Sequence, residues 1–298
     1  MHHIISIKDF GRDEIDALLK KAHNIQSMGS YKRTLTGKLV ALLFFEPSTR
    51  TRMSFASALS RLGGDAITVD SIEGSSISKG ETLADTVRVV SSYVDAIVLR
   101  HPKEGAARLA SEFSSVPVIN AGDGAGQHPS QTLLDLYTIK ENMPLDNIDV
   151  GLLGDLRYGR TAHSLSYALS NYDVRLHTIA PKGLEIPQWL SKELSERGMK
   201  IIEHHSVEDA IKDLDVLYAT RIQRERFPDS ASYSRIAHSY RITPKTLDGV
   251  RENLILLHPL PRAGEIDPRV DSLPYAKYFR QAENGIPVRM AMLEEVML

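Results

Sequence analysis

The sequence contains no cysteine among its 298 residues. That excludes disulfides, thiolate metal sites and thiol nucleophiles together, and it fits a reducing compartment. No stretch approaches the roughly 18 consecutive apolar residues of a membrane-spanning helix. The opening residues, Met1-His2-His3-Ile4-Ile5, lack the apolar run of a signal peptide, so the expected location is cytoplasmic. Charge of either sign is not in excess: 36 Lys and Arg against 38 Asp and Glu leave −2. No global field favours nucleic acid or an acidic membrane surface, and any bound anion must be held by local groups. No metal site is evident. The His2-His3 and His204-His205 pairs read as solvated.

A composition of 42% apolar and 25% charged residues is that of a globular chain. Its length suits two domains of about 150 residues each. Apolar residues recur with helical spacing at Ile15, Leu18, Leu19, Ala22 and Ile25. Strand-like runs then alternate with helical ones. Strands are expected at 39–45, 66–69, 96–99 and 116–119, and helices at 53–62, 83–90, 106–113 and 132–140. The rhythm pauses at Asn142–Asn147 and restarts. Strands follow at 150–153, 174–179, 200–202, 216–219 and 254–257. Helices follow at 161–169, 188–196 and 207–212, with a terminal helix over 275–298 interrupted near Gly285–Pro287. The expected fold is α/β with two domains, each a parallel sheet flanked by helices. The active site is expected in a cleft at the strand carboxyl ends. Residues 1–143 form the first domain, joined by a C-terminal helix at about 280–298, and residues 144–279 form the second.

The strand ends carry the chemistry. Phe45-Glu46-Pro47-Ser48-Thr49-Arg50-Thr51-Arg52 follows an apolar strand and opens a helix, with Ser48 as N-cap. Free N–H groups and the macrodipole favour an anion there. Hydroxyls and planar, always charged guanidiniums add donors suited to phosphate oxygens. The bland alternative is a capped helix with solvated arginines. The P-loop pattern Gly-x-x-x-x-Gly-Lys-Ser/Thr is missing, which argues against a nucleotidase. Gly151-Leu152-Leu153-Gly154-Asp155 is half a dinucleotide fingerprint, with its third glycine late, at Gly159.

Arg100-His101-Pro102 closes another strand, where a cation leaving a buried run needs a partner. The glycine-rich loop 121–131 lets a backbone approach a ligand closely, and within it His128 and Gln131 sit three apart, so that one helical turn could aim both at one ligand. Ser75–Thr82 is a polar loop with one lysine, Lys79. In the second half, Arg157 and Arg160, then Arg221, Arg224 and Arg226, and finally Arg262 follow three further strands. Arginines at strand ends in both halves suggest two anionic ligands.

Together these segments resemble the aspartate and ornithine carbamoyltransferases, essentially end to end. The resemblance rests on Phe-Glu-Pro-Ser-Thr-Arg-Thr-Arg at 45–52, Lys-Gly-Glu-Thr-Leu-Ala-Asp-Thr at 79–86 and Arg-His-Pro at 100–102. It extends to Asn-Ala-Gly-Asp-Gly at 120–124, Gln-His-Pro at 127–129, Gly-Asp-Leu-Arg-Tyr-Gly-Arg-Thr at 154–161 and His-Pro-Leu-Pro-Arg at 258–262. It implies transfer of a carbamoyl group from carbamoyl phosphate to the amine of L-aspartate, in pyrimidine biosynthesis and without a cofactor.

Carried over by position, Ser48, Thr49, Arg50 and Thr51 hold the phosphate. Arg100, Thr51 and His128 polarise the carbamoyl carbonyl. Gln131 and the backbone of Pro259 and Leu260 hold the carbamoyl nitrogen, and Arg160, Arg221 and Gln223 bind the aspartate carboxylates. Lys79 and a serine, Ser75 or Ser76, reach into a neighbouring subunit's site, which implies a homotrimer with shared sites. Regulatory chains in a larger assembly occur in parts of the family. The proton acceptor is either the leaving phosphate or Lys79.

Ornithine, a cationic substrate, is the alternative acceptor. The ornithine enzymes carry His-Cys-Leu-Pro where this chain has His258-Pro259-Leu260-Pro261, and the arginine-rich second half suits a dicarboxylate. Two rival readings are a dinucleotide-dependent oxidoreductase using the Gly151–Asp155 turn and a non-catalytic anion-binding relative.

Overall fold

The computed structural model of the chain describes residues 2–70, 80–222 and 240–298. The chain forms two compact units, Met1–Leu134 with Asn284–Leu298, and Asp135–Glu283.

The first unit holds a four-stranded sheet. The strands are β1 (Leu39–Phe44), β2 (Asp65–Val69), β3 (Ala96–His101) and β4 (Val118–Asp123), in the order β2-β1-β3-β4 and all parallel. β1 reads Leu-Val-Ala-Leu-Leu-Phe, a continuous apolar run with Val40 to Phe44 buried, as a strand covered on both faces requires. The unit also holds helices α1 (Arg12–Ser27), α2 (Thr49–Arg61), α3 (Leu83–Ser91) and α4 (Ala106–Phe113), of which α2, α3 and α4 pack on the sheet. α1 buries Ile15, Leu18, Leu19 and Ala22, the periodic residues of its sequence. One core cluster joins Ala41, Leu43, Ile97 and Leu99 of the strands to Val87 of α3 and Ala107 and Ala110 of α4.

The second unit holds β5 (Ile148–Leu153), β6 (Val174–Ile179), β7 (Lys200–His204), β8 (Val216–Ala219) and β9 (Ile255–Leu257), in the parallel order β7-β6-β5-β8-β9. Its helices include α6 (Arg160–Leu169) and α7 (Gln188–Glu196). Two further helices, α5 (Pro129–Asn142) and α8 (Tyr278–Met297), contribute residues to both units.

Both sheets have a switch point, where successive crossovers leave in opposite directions. It falls between β1 and β3 in the first sheet and between β5 and β8 in the second. Ligands of open α/β sheets sit outside the strand carboxyl ends at such points.

Four expectations are corrected. The 207–212 segment is not a helix: a turn leads into a short 3₁₀ helix at Ile211–Asp213. Val207, Ala210, Ile211 and Leu214 are buried at helical spacing, but the segment is too short to repay helix nucleation. α8 runs unbroken through Pro287. Burial of Val288, Met290, Ala291, Met292 and Leu293 outweighs a proline cost of about 3 kcal/mol.

The histidine pairs are not simply solvated. His3 Nδ1 accepts the Val118 N–H at 3.1 Å, and His204 Nε2 lies 2.9 Å from His177 Nδ1. Finally, α2 and α5 begin three to four residues before their apolar periodicity, at Thr49 and Pro129. Periodicity marks a buried face, whereas a first turn is polar because its N–H groups are unsatisfied. Among the described residues no helix is long and apolar enough to cross a membrane, and no group of three or more His, Asp or Glu could hold a metal.

Candidate active site

In the first unit, sheet order sets three strand ends side by side. Phe44 pairs with Arg100, and Leu99 with Asn120, so the ends of β1, β3 and β4 lie within about 10 Å, two strand spacings. After β1, Ser48 occupies the N-cap of α2, but its side chain caps nothing. The expected side-chain capping role is therefore not realised, and the hydroxyl makes no hydrogen bond among the described residues. The N–H groups of Thr49, Arg50 and Thr51 donate to no described residue.

The two arginines of this segment separate. Arg52 is taken by Asp70, at 2.6 Å. Arg50 is exposed and makes no ion pair or hydrogen bond among the described residues. Thr51 faces inward, 7% exposed.

Arg100 is buried, and its charge is compensated as burial demands. Nη2 donates to Glu46 Oε1 at 3.0 Å, and Nη1 donates to the Ala121 carbonyl at 3.0 Å. Nη1 also lies 3.4 Å from Nε2 of His128, itself buried. Gly122 makes this approach possible. Its φ is +116°, and a Cβ there would meet Arg100 Nη1 at 2.8 Å.

The loop is braced by Asn120 and Asp123. Asn120 Oδ1 accepts the Gly122 N–H at 2.8 Å, and Asp123 accepts the N–H groups of Gln127 at 2.8 Å and Gly105 at 2.9 Å. His101 plays another part. It stacks edge-on against Phe45, and burial together with Lys103 holds its pKa below the usual value. Gln131 sits in the first turn of α5, its N–H bonded to the His128 carbonyl at 3.0 Å.

In the second unit, β5, β8 and β9 are neighbours and their ends carry the other candidates. Arg160 is the first residue of α6, and Arg221 follows β8 and is exposed. Pro259 and Leu260 follow β9. Leu260 has φ +55°, and its N–H donates to His258 Nδ1 at 2.8 Å. Gly151 lies inside β5, where a Cβ would meet Leu214 at 2.4 Å. It is a packing glycine, not the first turn of a dinucleotide loop, so that rival loses its anchor. Ser75, Ser76, Lys79 and Gln223 lie outside the described residues.

Glu46, Asn120 and Asp123 also shape the site, and each stands inside one of the motifs at 45–52 and 120–124 without a role expected of it. Glu265 and Gln281 bond to His258 from 7 and 23 residues away, and no local sequence signal points to them.

Two family patterns account for nearly the whole chain. "Aspartate/ornithine carbamoyltransferase, carbamoyl-P binding domain" matches residues 2–141, and "Aspartate/ornithine carbamoyltransferase, Asp/Orn binding domain" matches 146–296. The chain belongs to the aspartate/ornithine carbamoyltransferase family. A relative from Methanoculleus marisnigri, an aspartate carbamoyltransferase catalytic subunit, is 72% identical over 298 residues, all of both chains.

Among solved structures, the catalytic subunit of M. jannaschii aspartate transcarbamoylase superposes with a TM-score of 0.94 at 51% identity, covering 99% of this chain and 98% of that one. The Trypanosoma cruzi enzyme in complex with carbamoyl phosphate and aspartate gives 0.92 at 39% identity, covering 99% and 97%. The carbamoyltransferase fold and the family's two-domain α/β plan are thus established for this chain.

Proposed function

We propose that this carbamoyltransferase transfers the carbamoyl group of carbamoyl phosphate to the amine of L-aspartate, giving N-carbamoyl-L-aspartate and phosphate in pyrimidine biosynthesis. The observation that carries the reading is Arg50 at the start of α2, exposed and without an ion pair or hydrogen bond among the described residues, one strand from the buried Arg100–His128 pair. One cation is left for a ligand, while the other is already held in place. The substrates named for the T. cruzi structure, and the aspartate acceptor named for the M. marisnigri relative, support the same choice.

The roles divide by chemistry. Ser48, Thr49, Arg50 and Thr51 hold the phosphate with hydroxyls, backbone N–H groups and a guanidinium. The aspartate amine attacks the carbamoyl carbon, and negative charge gathers on the carbonyl oxygen. Thr51, Arg100 and His128 supply preplaced donors there, and one such donor is typically worth about 10²–10³ in rate. Gln131 and the carbonyls of Pro259 and Leu260 take the carbamoyl N–H groups. Arg160, Arg221 and Gln223 hold the aspartate carboxylates. Phosphate leaves as the C–O bond breaks and the amine loses its proton, either to that phosphate or to Lys79. No step needs a cofactor.

Residues 1–143 with the C-terminal helix from about 280 serve carbamoyl phosphate, and residues 144–279 serve aspartate. The working assembly is a homotrimer in which Ser75 and Lys79 complete a neighbour's site, with regulatory chains as possible further partners, in the cytoplasm. β2 supports association: it is an edge strand with four of five residues exposed, Ile67 among them.

The test is direct. Carbamoyl phosphate and aspartate are mixed with the folded protein at neutral to mildly alkaline pH, and carbamoyl aspartate is measured. Product is expected; none from a folded sample rejects the reading. Product with ornithine instead of aspartate would reassign the acceptor.

A further inference from the structure

From Pro259 to Pro261 the loop after β9 shows a ligand acceptors only. Pro259 has no N–H. The Leu260 N–H is consumed by His258 Nδ1, at 2.8 Å. Neither the Pro259 nor the Leu260 carbonyl accepts a hydrogen bond from a described residue. A carbamoyl NH2 group needs acceptors and would be repelled by an N–H pointing at it. Whatever hides the Leu260 N–H therefore shapes what the loop selects.

We propose that His258, oriented by Glu265, is a positioning and specificity residue: it sequesters the Leu260 N–H and so tunes the loop for a carbamoyl nitrogen over a methyl or other group. The inference rests on the reading above, in which the Pro259 and Leu260 carbonyls hold that nitrogen.

The geometry fixes His258 at three points, one on its backbone and two on its imidazole. Its backbone N–H donates to Gln281 Oε1 at 2.8 Å. Because an amide N–H can only donate, Nδ1 must accept from Leu260 and carries no proton. Nε2 therefore bears the proton and donates to Glu265 Oε1 at 2.6 Å. The other Glu265 oxygen accepts the Ala263 N–H at 2.8 Å. Burial works to raise the Glu265 pKa, but the hydrogen bonds from His258 and the backbone prevail, so it lies below the usual value and the acceptor stays ionised.

Gln281 is anchored in turn by Asp135 at 2.6 Å, which also accepts the Tyr218 hydroxyl at 2.9 Å. A buried histidine serving only packing would need one partner. This imidazole connects a carboxylate to a single N–H in the loop, and Gln281 holds the backbone that carries it. That N–H belongs to Leu260, whose φ of +55° a branched residue seldom adopts.

The experiment compares His258→Leu, His258→Asn and Glu265→Gln with the unaltered chain. It reads kcat/KM for carbamoyl phosphate and inhibition by acetyl phosphate and inorganic phosphate, which lack the NH2 group. Leu removes the acceptor, and misplaced groups cost about 10²-fold, so kcat/KM for carbamoyl phosphate should fall by about that factor. Inhibition by the two analogues should stay within about twofold, the range of a surface change. Asn offers a carbonyl close to where Nδ1 lies and should restore most of the loss. Glu265→Gln should lower kcat/KM several-fold with the analogues again unaffected, and this result decides the matter if the Leu variant does not fold.

Equal losses for all three ligands, an Asn variant no better than Leu, or an unchanged kcat/KM in folded Glu265→Gln would each overturn the inference. Lack of carbamoyl aspartate from the unaltered chain would instead reject the reading it rests on.

Discussion

Arg100 Nη1 and His128 Nε2 lie 3.4 Å apart, and the backbone of Gly122 passes where a side chain would push them apart. Two groups 28 residues apart in the chain are thus held by one residue without a Cβ. The pair also depends on Glu46, which neutralises the buried guanidinium at 3.0 Å. A buried cation needs such a partner, and a glycine with positive φ provides the room for it.

Gly122→Ala should therefore damage both stability and rate. The φ of +116° and the 2.8 Å contact force the loop or Arg100 to shift. Strain of this kind costs about 1–3 kcal/mol. Displacing one donor from the carbonyl oxygen should lower kcat by about 10²–10³. Denaturant melts and carbamoyl aspartate formation measure the two effects. An alanine variant with unchanged melts and rate would mean that the loop accommodates a Cβ.

Arg50→Ala should separate activity from stability. The side chain is exposed and has no partner among the described residues, so its loss should alter stability by less than about 0.5 kcal/mol. Catalysis should fall by at least about 10²-fold as charge stabilisation at the phosphate is lost. Arg52→Ala breaks only the ion pair with Asp70 and should be far milder. Equal rates for the two variants would assign the phosphate to neither arginine in particular.

Shared sites can be tested by complementation. Lys79→Ala and Arg50→Ala chains are each expected to be inactive alone. Mixed after subunit exchange, they should form some sites with both residues intact and recover measurable turnover. Verified exchange without any recovery would place Lys79 in its own chain's site or outside the reaction.

Acid should weaken the second unit through one face of its sheet. Asp149 accepts Arg175 Nε at 2.7 Å and Nη2 at 2.6 Å, and His177 Nε2 at 2.9 Å. These hydrogen bonds, Arg175 foremost, hold its pKa well below the ordinary carboxylate range against the opposing effect of burial. His204, stacked on His177 with ring centroids 5.1 Å apart, is also depressed, by burial first and then by His177, with Asp209 and Asp213 opposing.

A depressed folded pKa means that the unfolded chain binds protons first. Stabilisation is full above the unfolded values and is lost as pH falls through the folded ones. The melting temperature should thus decline from about pH 6.5 downward and more steeply below about pH 4, the unfolded histidine and aspartate ranges. His204→Gln keeps a donor for His177 Nδ1 without a titrating ring and should flatten part of the first decline. His3 and His101, also depressed, keep the remainder. An identical profile in His204→Gln would remove His204 from the account.

Much of the fold was legible because apolar runs bounded by turns leave few alternatives. Ala106–Phe113, Val174–Ile179, Gln188–Glu196 and Val216–Ala219 form the elements expected, residue for residue. Local pattern failed where context ruled. Pro287 stays inside α8 because buried neighbours hold it there, and 207–212 keeps helical spacing without becoming a helix.

The sequence by itself determined which chemistry stands at which strand end: the Ser48–Arg52 turn, Arg100, His128, and Arg160, Arg221 and Leu260 further on. A strand run and the polar turn after it are adjacent in the chain, so their order is local information. Only the tertiary structure decided which charges are free and which are occupied. Arg50 and Arg52 look alike in sequence, yet Asp70 takes one and leaves the other. His258 looks like a motif residue, yet its role depends on Glu265 and Gln281 reaching it from later in the chain. Hydrogen bonds and ion pairs act over about 3 Å of space whatever the separation along the chain, so only the packed structure shows which partners meet.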